Sequence, residues 1–298
     1  MTAQSGLIIV DKPAGWTSHD VVARIRRLAG TRRVGHAGTL DPMATGVLVV
    51  GVQKATRLLG YLTLTDKEYL ATIRLGQATD TGDAEGTVIA GRPAGQLPTG
   101  AVQAAAAALT GPIQQVPPAV SAIKVGGQRA YKLAREGAPP VLPARPVTVH
   151  SFVITAVRPA AELMDVDVLV VCSSGTYIRA LARDMGDALG VGGHLTMLRR
   201  TRVGPYDLSA ARSMDELASG LDQPGAELAV LPLKDAAAAA FPSRLLTEPE
   251  ARSLAHGVSL PWTGPAAGPV AAFDPEGTLI ALVAERDGAA RPLAVFVP

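Results

Sequence analysis

The first thirty residues show the hydrophobic periodicities of both a strand and a helix. Residues 6–10 (GLIIV) form a continuous apolar run that ends at the turn-forming sequence DKP, which predicts a buried strand. Thr17, with Asp20 three residues later, matches a helix capping box, and apolar positions recur at helical spacing from 21 to 28. The chain is therefore expected to begin with a strand, a turn and a helix.

Similar patterns recur downstream. Residues 47–52, 69–75 and 165–171 run apolar or alternate, which predicts three further strands. The alanine-rich stretch 99–109 predicts a helix that ends at Gly-Pro, and a second helix is expected over about 178–189. This mixture of strands and helices favours an α+β fold.

The last quarter of the chain has a different pattern. Residues 221–240 are rich in alanine, proline and acidic side chains and are expected to form a linker. A short helix is predicted over 248–256. Short strands separated by turn sequences are predicted at 270–273, 279–284 and 293–297. This spacing suits a small β-barrel in the last 58 residues.

Composition narrows the class of protein. With 48% hydrophobic and 18% charged residues in 298, the chain is expected to be globular. A single cysteine, Cys172, excludes an intrachain disulfide and a cysteine-rich zinc site. The N-terminus lacks a basic signal-peptide region, and no apolar run approaches the length of a membrane span. The expectation is a soluble, cytoplasmic protein.

The basic residues are unevenly distributed. Residues 1–60 contain eight Lys or Arg against three Asp or Glu, and residues 121–158 contain six against one. From 241 onward, four basic residues face six acidic ones. This asymmetry favours a polyanion bound mainly by the first two-thirds of the chain, although ordinary solvated helix surfaces would look similar. The proline-flanked segment 117–146 holds five basic residues and is expected to be an exposed insertion.

Common cofactor motifs are absent from the sequence. It has no phosphate-binding GxxxxGK[ST], no zinc-binding HExxH and no dinucleotide-binding GxGxxG. The acidic stretch 79–86 (TDTGDAEG) resembles a calcium loop, but the twelfth position counted from Asp80 is Gly91, where a glutamate is required. The five histidines are scattered. We expect no metal and no cofactor.

The densest chemical segment is GHAGTLDPMATGVL at 35–48. Its glycines and proline predict a tight loop that presents one carboxylate, Asp41, and one imidazole, His36, just before a buried strand. An aspartate before a proline is also typical of an ordinary turn.

This segment resembles the catalytic motif of the tRNA pseudouridine synthase B family, whose members convert uridine 55 of the tRNA T loop to pseudouridine. Further segments match in the family's order over about residues 6–205. Ala37 and Ser174 depart from the family, where Thr and Lys are common, and put fine RNA contacts in doubt. The matching segments are DKPxGxTS at 11–18, Lys67-Glu68-Tyr69 with Leu75-Gly76 and TDTGDAEG, Pro117-Pro118 with Ser121-Ala122-x-Lys124, CSSGTYIR at 172–179, and LRRT at 198–201.

The resemblance implies roles for three residues. Asp41 would start the isomerisation, either by attacking C1′ of the ribose or by removing the C2′ proton, and family usage makes it the nucleophile. Arg179 would keep Asp41 ionised and oriented. Tyr69 would stack on the uracil and take or relay the C5 proton. From the residues alone, Arg179 could equally be a helix-surface arginine and Tyr69 a core aromatic.

The remaining substrate contacts follow from the same resemblance. Tyr177 and Leu198 would line the pocket, and His36 would fill the space that the flipped base vacates or stack on the base. Lys12 and Arg199 would contact the RNA, together with the basic insertion 117–146. Tyr177 and Leu198 could instead be core residues, and His36 a turn histidine bonded to the backbone.

The resemblance also implies a domain arrangement and partners. Residues 1–235 would form the catalytic domain, an α+β domain with a largely antiparallel mixed sheet flanked by helices. Residues 241–298 would form a PUA-like RNA-binding barrel. The expected partner is the T arm of tRNA, bound by a monomer without a guide RNA or an obligatory protein partner.

Three alternatives remain open on the sequence. A guide-RNA-dependent synthase of the dyskerin type shares the Asp motif, but this chain lacks a long basic tail. A non-catalytic tRNA-binding module would not require Asp41, Tyr69 and Arg179 together. A glycoside hydrolase would need a second, acidic carboxyl group, and no partner for Asp41 stands out.

Overall fold

The computed structural model describes residues 4–121, 124–125, 128–129, 140–221, 226–265 and 268–297. It contains both strands and helices, as the pattern predicts. The strands in chain order are β1 (Gly6–Lys12), β2 (Val34–Ala37), β3 (Thr45–Val52), β4 (Lys67–Leu75), β5 (Ala78–Thr79), β6 (Val88–Ala90), β7 (Gly111–Gln115), β8 (Lys124–Val125), β9 (Gln128–Arg129), β10 (Arg145–Ala160), β11 (Leu163–Cys172), β12 (Gly193–Val203), β13 (Tyr206–Asp207), β14 (Leu231–Pro232), β15 (Ser243–Leu245), β16 (Leu260–Pro261), β17 (Val270–Phe273), β18 (Leu279–Arg286) and β19 (Ala289–Val295).

The helices agree well with the local signals. Thr17 caps the first helix, and the predicted capping box with Asp20 is present in both directions. The alanine-rich helix and the helix that follows Tyr177 also lie where they are expected. The helices are α1 (Ser18–Leu28), α2 (Leu59–Leu62), α3 (Thr99–Ala108), α4 (Ile178–Ala188), α5 (Met214–Ser219), α6 (Leu233–Ala240) and α7 (Glu248–Ala255), with 3-10 turns at Gln53–Arg57 and Leu208–Ala210.

The chain divides into two compact units. The first comprises Met1–Pro42, Gly46–Thr65 and Val203–Pro298, and the second comprises Met43–Thr45 and Asp66–Arg202. The first unit is thus assembled from both ends of the chain.

In the first unit, β1 is buried on both faces. It pairs antiparallel with β3 and with β14. Ile8 and Val10 point to one face, where they pack with the apolar side of α1. Leu7 and Ile9 point to the other face, where they pack with residues from the last quarter of the chain. This alternation explains why the strand is a continuous apolar run.

The prediction of a linker over 221–240 is wrong for the second half of that stretch, because residues 233–240 form α6. Alanine has the highest helix propensity, and its small side chain allows close packing. Ala236 and Ala237 are fully buried in the same core as Leu7 and Phe296. Residues 222–225 lie outside the described chain.

The C-terminal segment forms a five-stranded sheet in the order β15-β17-β18-β19-β16. The three predicted strands are present, although β19 begins four residues before its predicted start. Residues on both sides of the predicted domain boundary, such as Leu7 and Phe241, share one core. The boundary between 235 and 241 stays a prediction.

In the second unit, β4, β11, β10 and β7 lie side by side in that order, and each pairs antiparallel with its neighbour. This arrangement places Tyr69 of β4 opposite Val170 of β11. In the predicted insertion, β8 and β9 pair antiparallel. No side chain at 122–127 or 129–139 is among the described residues, so the predicted RNA contacts there lie outside them.

Candidate active site

Asp41 lies between two backbone positions that other parts of the first unit hold in place. On its N-terminal side, the hydroxyl of the buried Ser18 accepts from the Leu40 N–H at 2.9 Å and donates to the Leu40 carbonyl at 3.2 Å. On its C-terminal side, the Pro42 carbonyl accepts from the Gly15 N–H at 2.9 Å. Asp41 itself is half-buried. A carboxylate held in this way is preoriented for chemistry.

Lys12 adds a third restraint to this loop. Its ammonium group is fully buried and donates to the carbonyls of Pro13 at 2.8 Å, Trp16 at 2.7 Å and Pro42 at 3.2 Å. Carbonyl oxygens around a buried cation offset the cost of removing it from water. In this structure Lys12 therefore fixes the loop, and its predicted contact with RNA stays a prediction.

His36 lies on β2, half-buried, before the loop that carries Asp41. Its ring packs edge-on against His19 in the first turn of α1, with 5.7 Å between the ring centroids. Gly38 follows with φ +86°, a conformation that favours glycine. The positive φ of Gly38 thus allows the chain to turn directly from the end of β2 into the loop that carries Asp41.

Arg179, in the first turn of α4, is held by contacts from all three nitrogens of its guanidinium group. Its Nη1 donates to the Thr81 carbonyl at 2.6 Å, and its Nη2 donates to the Val120 carbonyl at 2.9 Å. The side chain is only 5% exposed, and Nε lies 3.6 Å from the Asp83 carboxylate. This burial argues against an ordinary helix-surface arginine.

Asp83 is a candidate that the sequence argument missed. Its other oxygen, Oδ1, accepts from the Thr81 hydroxyl at 2.6 Å and from the Glu85 N–H at 3.1 Å. One carboxylate therefore shapes the loop and also neutralises Arg179. The sequence argument rejected the TDTGDAEG stretch as a calcium loop and counted it among the family-matching segments, but it assigned no role to Asp83. The signal that could have found Asp83 is the need of a buried arginine for a counter-charge.

The predicted pocket residues occupy different depths in the second unit. Tyr69 on β4 and Leu198 on β12 are buried, whereas Tyr177, which immediately precedes α4, is half-buried. Arg199 is half-buried, and its Nη1 donates to the Thr45 hydroxyl at 3.2 Å. Burial fits both a pocket wall and a core position, so the substrate contacts of these residues stay predictions.

Two titratable groups near Tyr69 have shifted pKa values. Burial, reinforced by the positive charge of Arg200, lowers the pKa of Lys67 to about 8. Burial also raises the pKa of the Cys172 thiol to about 11, which keeps the thiol protonated at neutral pH. A protonated thiol is a poor nucleophile.

The described residues contain neither a metal-ligand cluster nor a membrane-spanning helix. Within the described ranges, no group of three or more His, Cys, Asp or Glu side chains is arranged to hold a metal ion. None of the helices described here has the length and apolar character needed to cross a bilayer.

The predicted site residues fall into two sets, one in each unit. Within each unit the structure shows how they are held, and that both sets act on one nucleotide stays a prediction. The first unit contains Lys12, His36 and Asp41, and the second contains Tyr69, Tyr177, Arg179, Leu198 and Arg199.

Family models match most of the chain. Residues 26–178 match the N-terminal domain of the TruB family of pseudouridylate synthases. Residues 179–230 match the C-terminal domain of tRNA pseudouridylate synthase B, and residues 241–297 match the C-terminal domain of tRNA pseudouridine synthase II.

Full-length relatives give the same result. A tRNA pseudouridine synthase B of Thermobifida fusca is 61% identical, with 98% of each chain covered. One from an Arthrobacter species is 58% identical over 99% of this chain and 97% of the relative.

Solved structures of lower identity share the fold. The matched chain in a Cbf5–Nop10–Gar1 complex is 27% identical with a TM-score of 0.77, covering 100% of this chain and 87% of that one. The matched chain in an H/ACA ribonucleoprotein bound to a substrate RNA containing 2′-deoxyuridine is 26% identical, with a TM-score of 0.74. That match covers 98% of this chain and 85% of the other.

Proposed function

Since this chain belongs to the TruB family of pseudouridylate synthases, we propose that it isomerises a T-loop uridine of tRNA, at position 55, to pseudouridine. The observation that carries the proposal is the 61% identity to a tRNA pseudouridine synthase B over 98% of both chains. The fold, with mixed sheets and helices, is that of the TruB and Cbf5 proteins.

The reaction requires no change in redox state and no lost group. The N1–C1′ bond breaks, the uracil turns, and C5 bonds to C1′ while the C5 proton leaves and N1 gains a proton. One ionised carboxylate suffices to start it. We assign this role to Asp41, as a nucleophile at C1′ or as the base that removes the C2′ proton. The restraints on Leu40 and Pro42 support this assignment, because they limit the freedom of the carboxylate between them.

Arg179 is proposed as the cation that keeps Asp41 ionised. A guanidinium beside a carboxylate favours the charged form, and its planar fork fixes the geometry. Arg179 has five N–H donors, and a group of this kind can serve two carboxylates at once. Asp83 would then be the counter-ion that holds Arg179 ready in its buried position.

Tyr69 is proposed to stack on the uracil and to take or relay the C5 proton. The target base must leave a folded RNA loop, at a cost of a few kcal/mol. Stacking on an aromatic ring recovers about 1–3 kcal/mol per base. Tyr177 and Leu198 would complete the pocket wall, and His36 would fill the vacated space or stack on the flipped base.

RNA binding is proposed to extend beyond the pocket. Arg199 and the basic segment 117–146 would contact the backbone of the T arm, which supplies affinity without sequence readout. Lys12, which is fully buried, would contribute to substrate binding by holding the Asp41 loop in place. The C-terminal sheet of 241–298 would act as a PUA-like RNA-binding domain beside a catalytic domain of 1–235. The enzyme would act in the cytoplasm as a monomer and without a cofactor.

The structural likeness to Cbf5 chains supports a second candidate, a synthase that depends on a guide RNA and protein partners. The 27% identity to the Cbf5 chain is much lower than the 61% identity to a tRNA pseudouridine synthase B. We therefore propose activity of the chain alone.

The test is to incubate the purified protein with an unmodified tRNA transcript and to map pseudouridine by chemical modification and primer extension. A matched transcript with cytidine in place of the T-loop uridine is the control. We expect one new signal at that uridine without a guide RNA. Product that forms only after addition of a guide RNA and partners would favour the second candidate. No product under either condition would contradict both.

A further inference from the structure

Gln115 forms a two-point hydrogen bond with the residue that precedes α4. It is the last residue of β7 and only 1% exposed. Its Oε1 accepts from the Tyr177 N–H at 2.8 Å, and its Nε2 donates to the Tyr177 carbonyl at 3.1 Å. Tyr177 has the extended dihedrals φ −102° and ψ 111°. The carboxamide thus pairs with Tyr177 as a neighbouring strand would.

The chain that follows Gln115 makes further bonds to α4. The Val116 carbonyl accepts from Nη2 of Arg183 at 2.8 Å, and the Val120 carbonyl accepts from Nη2 of Arg179 at 2.9 Å. Residues 115–120 are therefore bonded to the start of α4 and to its first two turns. Of these three residues of the segment, Gln115 bonds through its side chain, whereas Val116 and Val120 bond through backbone carbonyls.

The Tyr177 backbone determines how α4 begins. Its carbonyl already accepts the first helical bonds, from the N–H groups of Ala180 at 3.1 Å and Leu181 at 3.2 Å. The Tyr177 side chain makes no capping hydrogen bond to the first turn. Gln115 restrains the start of the helix in another way, by holding the backbone N–H and carbonyl of Tyr177 itself.

We propose that Gln115 is a positioning residue for the isomerisation. Through both polar atoms of the Tyr177 backbone, it sets the direction in which α4 presents Tyr177 and Arg179 to the nucleotide. This inference rests on the proposed function. A displacement of about 1 Å at a catalytic group can reduce a rate about 100-fold. Loss of the Gln115 bonds should therefore lower kcat rather than RNA affinity.

Replacing Gln115 by glutamate makes the two hydrogen bonds to Tyr177 depend on pH. This dependence distinguishes an effect of these bonds on the rate from a general loss of stability. A protonated Glu in Gln115→Glu keeps the shape and both bonds, since its carbonyl accepts from Tyr177 N–H and its O–H donates to the Tyr177 carbonyl. An ionised Glu loses the donor and sets a negative charge against that carbonyl. Burial raises the pKa of such a carboxyl, which brings its titration towards neutral pH.

The experiment measures single-turnover rates on unmodified tRNA from pH 5.5 to 8.5, each divided by the wild-type rate at the same pH. Two elements contact Gln115 or carry its partner, and their charged or titratable side chains are Arg145, His150 and Arg158 on β10 and Arg179, Arg183, Asp184 and Asp187 on α4, with Asp83 beside Arg179. All are common to both proteins, so any titration of these groups largely cancels in the ratio. We expect Gln115→Glu to be within about 3-fold of wild type at low pH and about 10- to 100-fold slower at high pH. The matched control is Gln114→Glu, on the neighbouring exposed position of β7, whose ratio should stay flat.

Gln115→Leu removes both bonds at every pH and should be slow throughout, with tRNA affinity within a few-fold of wild type. Amide hydrogen exchange by NMR gives a readout that needs no activity. The Tyr177 amide should exchange faster in this variant, while the Ser173 amide, bonded to the Thr148 carbonyl at 2.8 Å, stays protected.

The outcomes separate the two proposals. A wild-type protein without activity contradicts the proposed function, while the exchange measurement still tests the two-point bond. Wild-type rates at every pH for both Gln115→Glu and Gln115→Leu, in an active protein, overturn the positioning role. So does a rate loss in Gln115→Leu that is matched by its loss of tRNA affinity.

Discussion

Replacing Asp83 by asparagine removes the negative charge beside Arg179 and retains the shape of the side chain. The Asn Oδ1 can still accept from the Thr81 hydroxyl and the Glu85 N–H, so the loop should persist. What is lost is the carboxylate oxygen 3.6 Å from Nε of Arg179, in a pair whose side chains are 5% and 6% exposed.

The size of the effect follows from this geometry. Two unit charges at this distance attract with about 5 kcal/mol at an effective dielectric constant of about 20, before desolvation is subtracted. Removing one partner of a buried pair typically costs about 3–5 kcal/mol, because the other charge remains buried without compensation. We expect Asp83→Asn to lower the unfolding free energy by an amount in this range.

The catalytic effect should be separable from the loss of stability. At a temperature where the variant is folded, Arg179 without its counter-ion should be less well oriented, and kcat should fall by about 10- to 100-fold. The assays are urea denaturation followed by circular dichroism, single-turnover pseudouridine formation, and tRNA binding by filter retention. Affinity should change only a few-fold.

Asp80→Asn is the matched control, because Asp80 is an exposed residue of the same loop whose Oδ1 accepts from the Thr87 N–H at 2.8 Å. Its unfolding free energy should stay within about 0.5 kcal/mol of wild type. The reasoning is refuted if Asp83→Asn matches wild type in both stability and rate, or if Asp80→Asn loses as much.

Three further changes have defined outcomes. Arg179→Lys should lower the single-turnover rate at least about 10-fold, because an ammonium cannot reproduce the planar guanidinium that donates to two carbonyls. A rate within about 2-fold of wild type would exclude the proposed role of Arg179. Tyr69→Phe should bind tRNA normally but turn over slowly, whereas Tyr69→Leu should impair both; equal rates for Phe and wild type would leave Tyr69 with stacking alone. The depressed pKa of Lys67, about 8, means that the unfolded chain binds more protons above pH 8, so wild-type stability should rise with pH there. In urea denaturation, the unfolding free energy of wild type relative to that of Lys67→Met should increase by about 2 kcal/mol between pH 7 and pH 9.5. If this free-energy difference is the same at both pH values, the pKa of Lys67 is not lowered.

The elements predicted correctly are those specified by local chemistry. The capping box at Thr17, the alanine-rich helix and the helix after Tyr177 all depend on residues within a few positions of one another. The motif segment also predicted that Asp41 lies in a tight loop. Such signals require no knowledge of distant parts of the chain.

The features that were missed depend on contacts that are distant in sequence. Asp83 and Arg179 are far apart along the chain, so the buried pair has no spacing signature. α6 was mistaken for a linker because its alanines become a buried helix only against strands from the other end of the chain. Lys12 gave no sequence sign of burial, because its partners are backbone carbonyls, which every residue carries.

The most direct test of the central claim is a single-turnover measurement of pseudouridine in unmodified tRNA with wild type, Asp41→Ala and the control Asp215→Ala, whose aspartate is exposed in the first turn of α5. The account predicts that wild type and Asp215→Ala convert the T-loop uridine at similar rates. Asp41→Ala should bind the tRNA within a few-fold of wild type and form no product. Pseudouridine formed by Asp41→Ala would contradict the claim that this carboxylate starts the reaction.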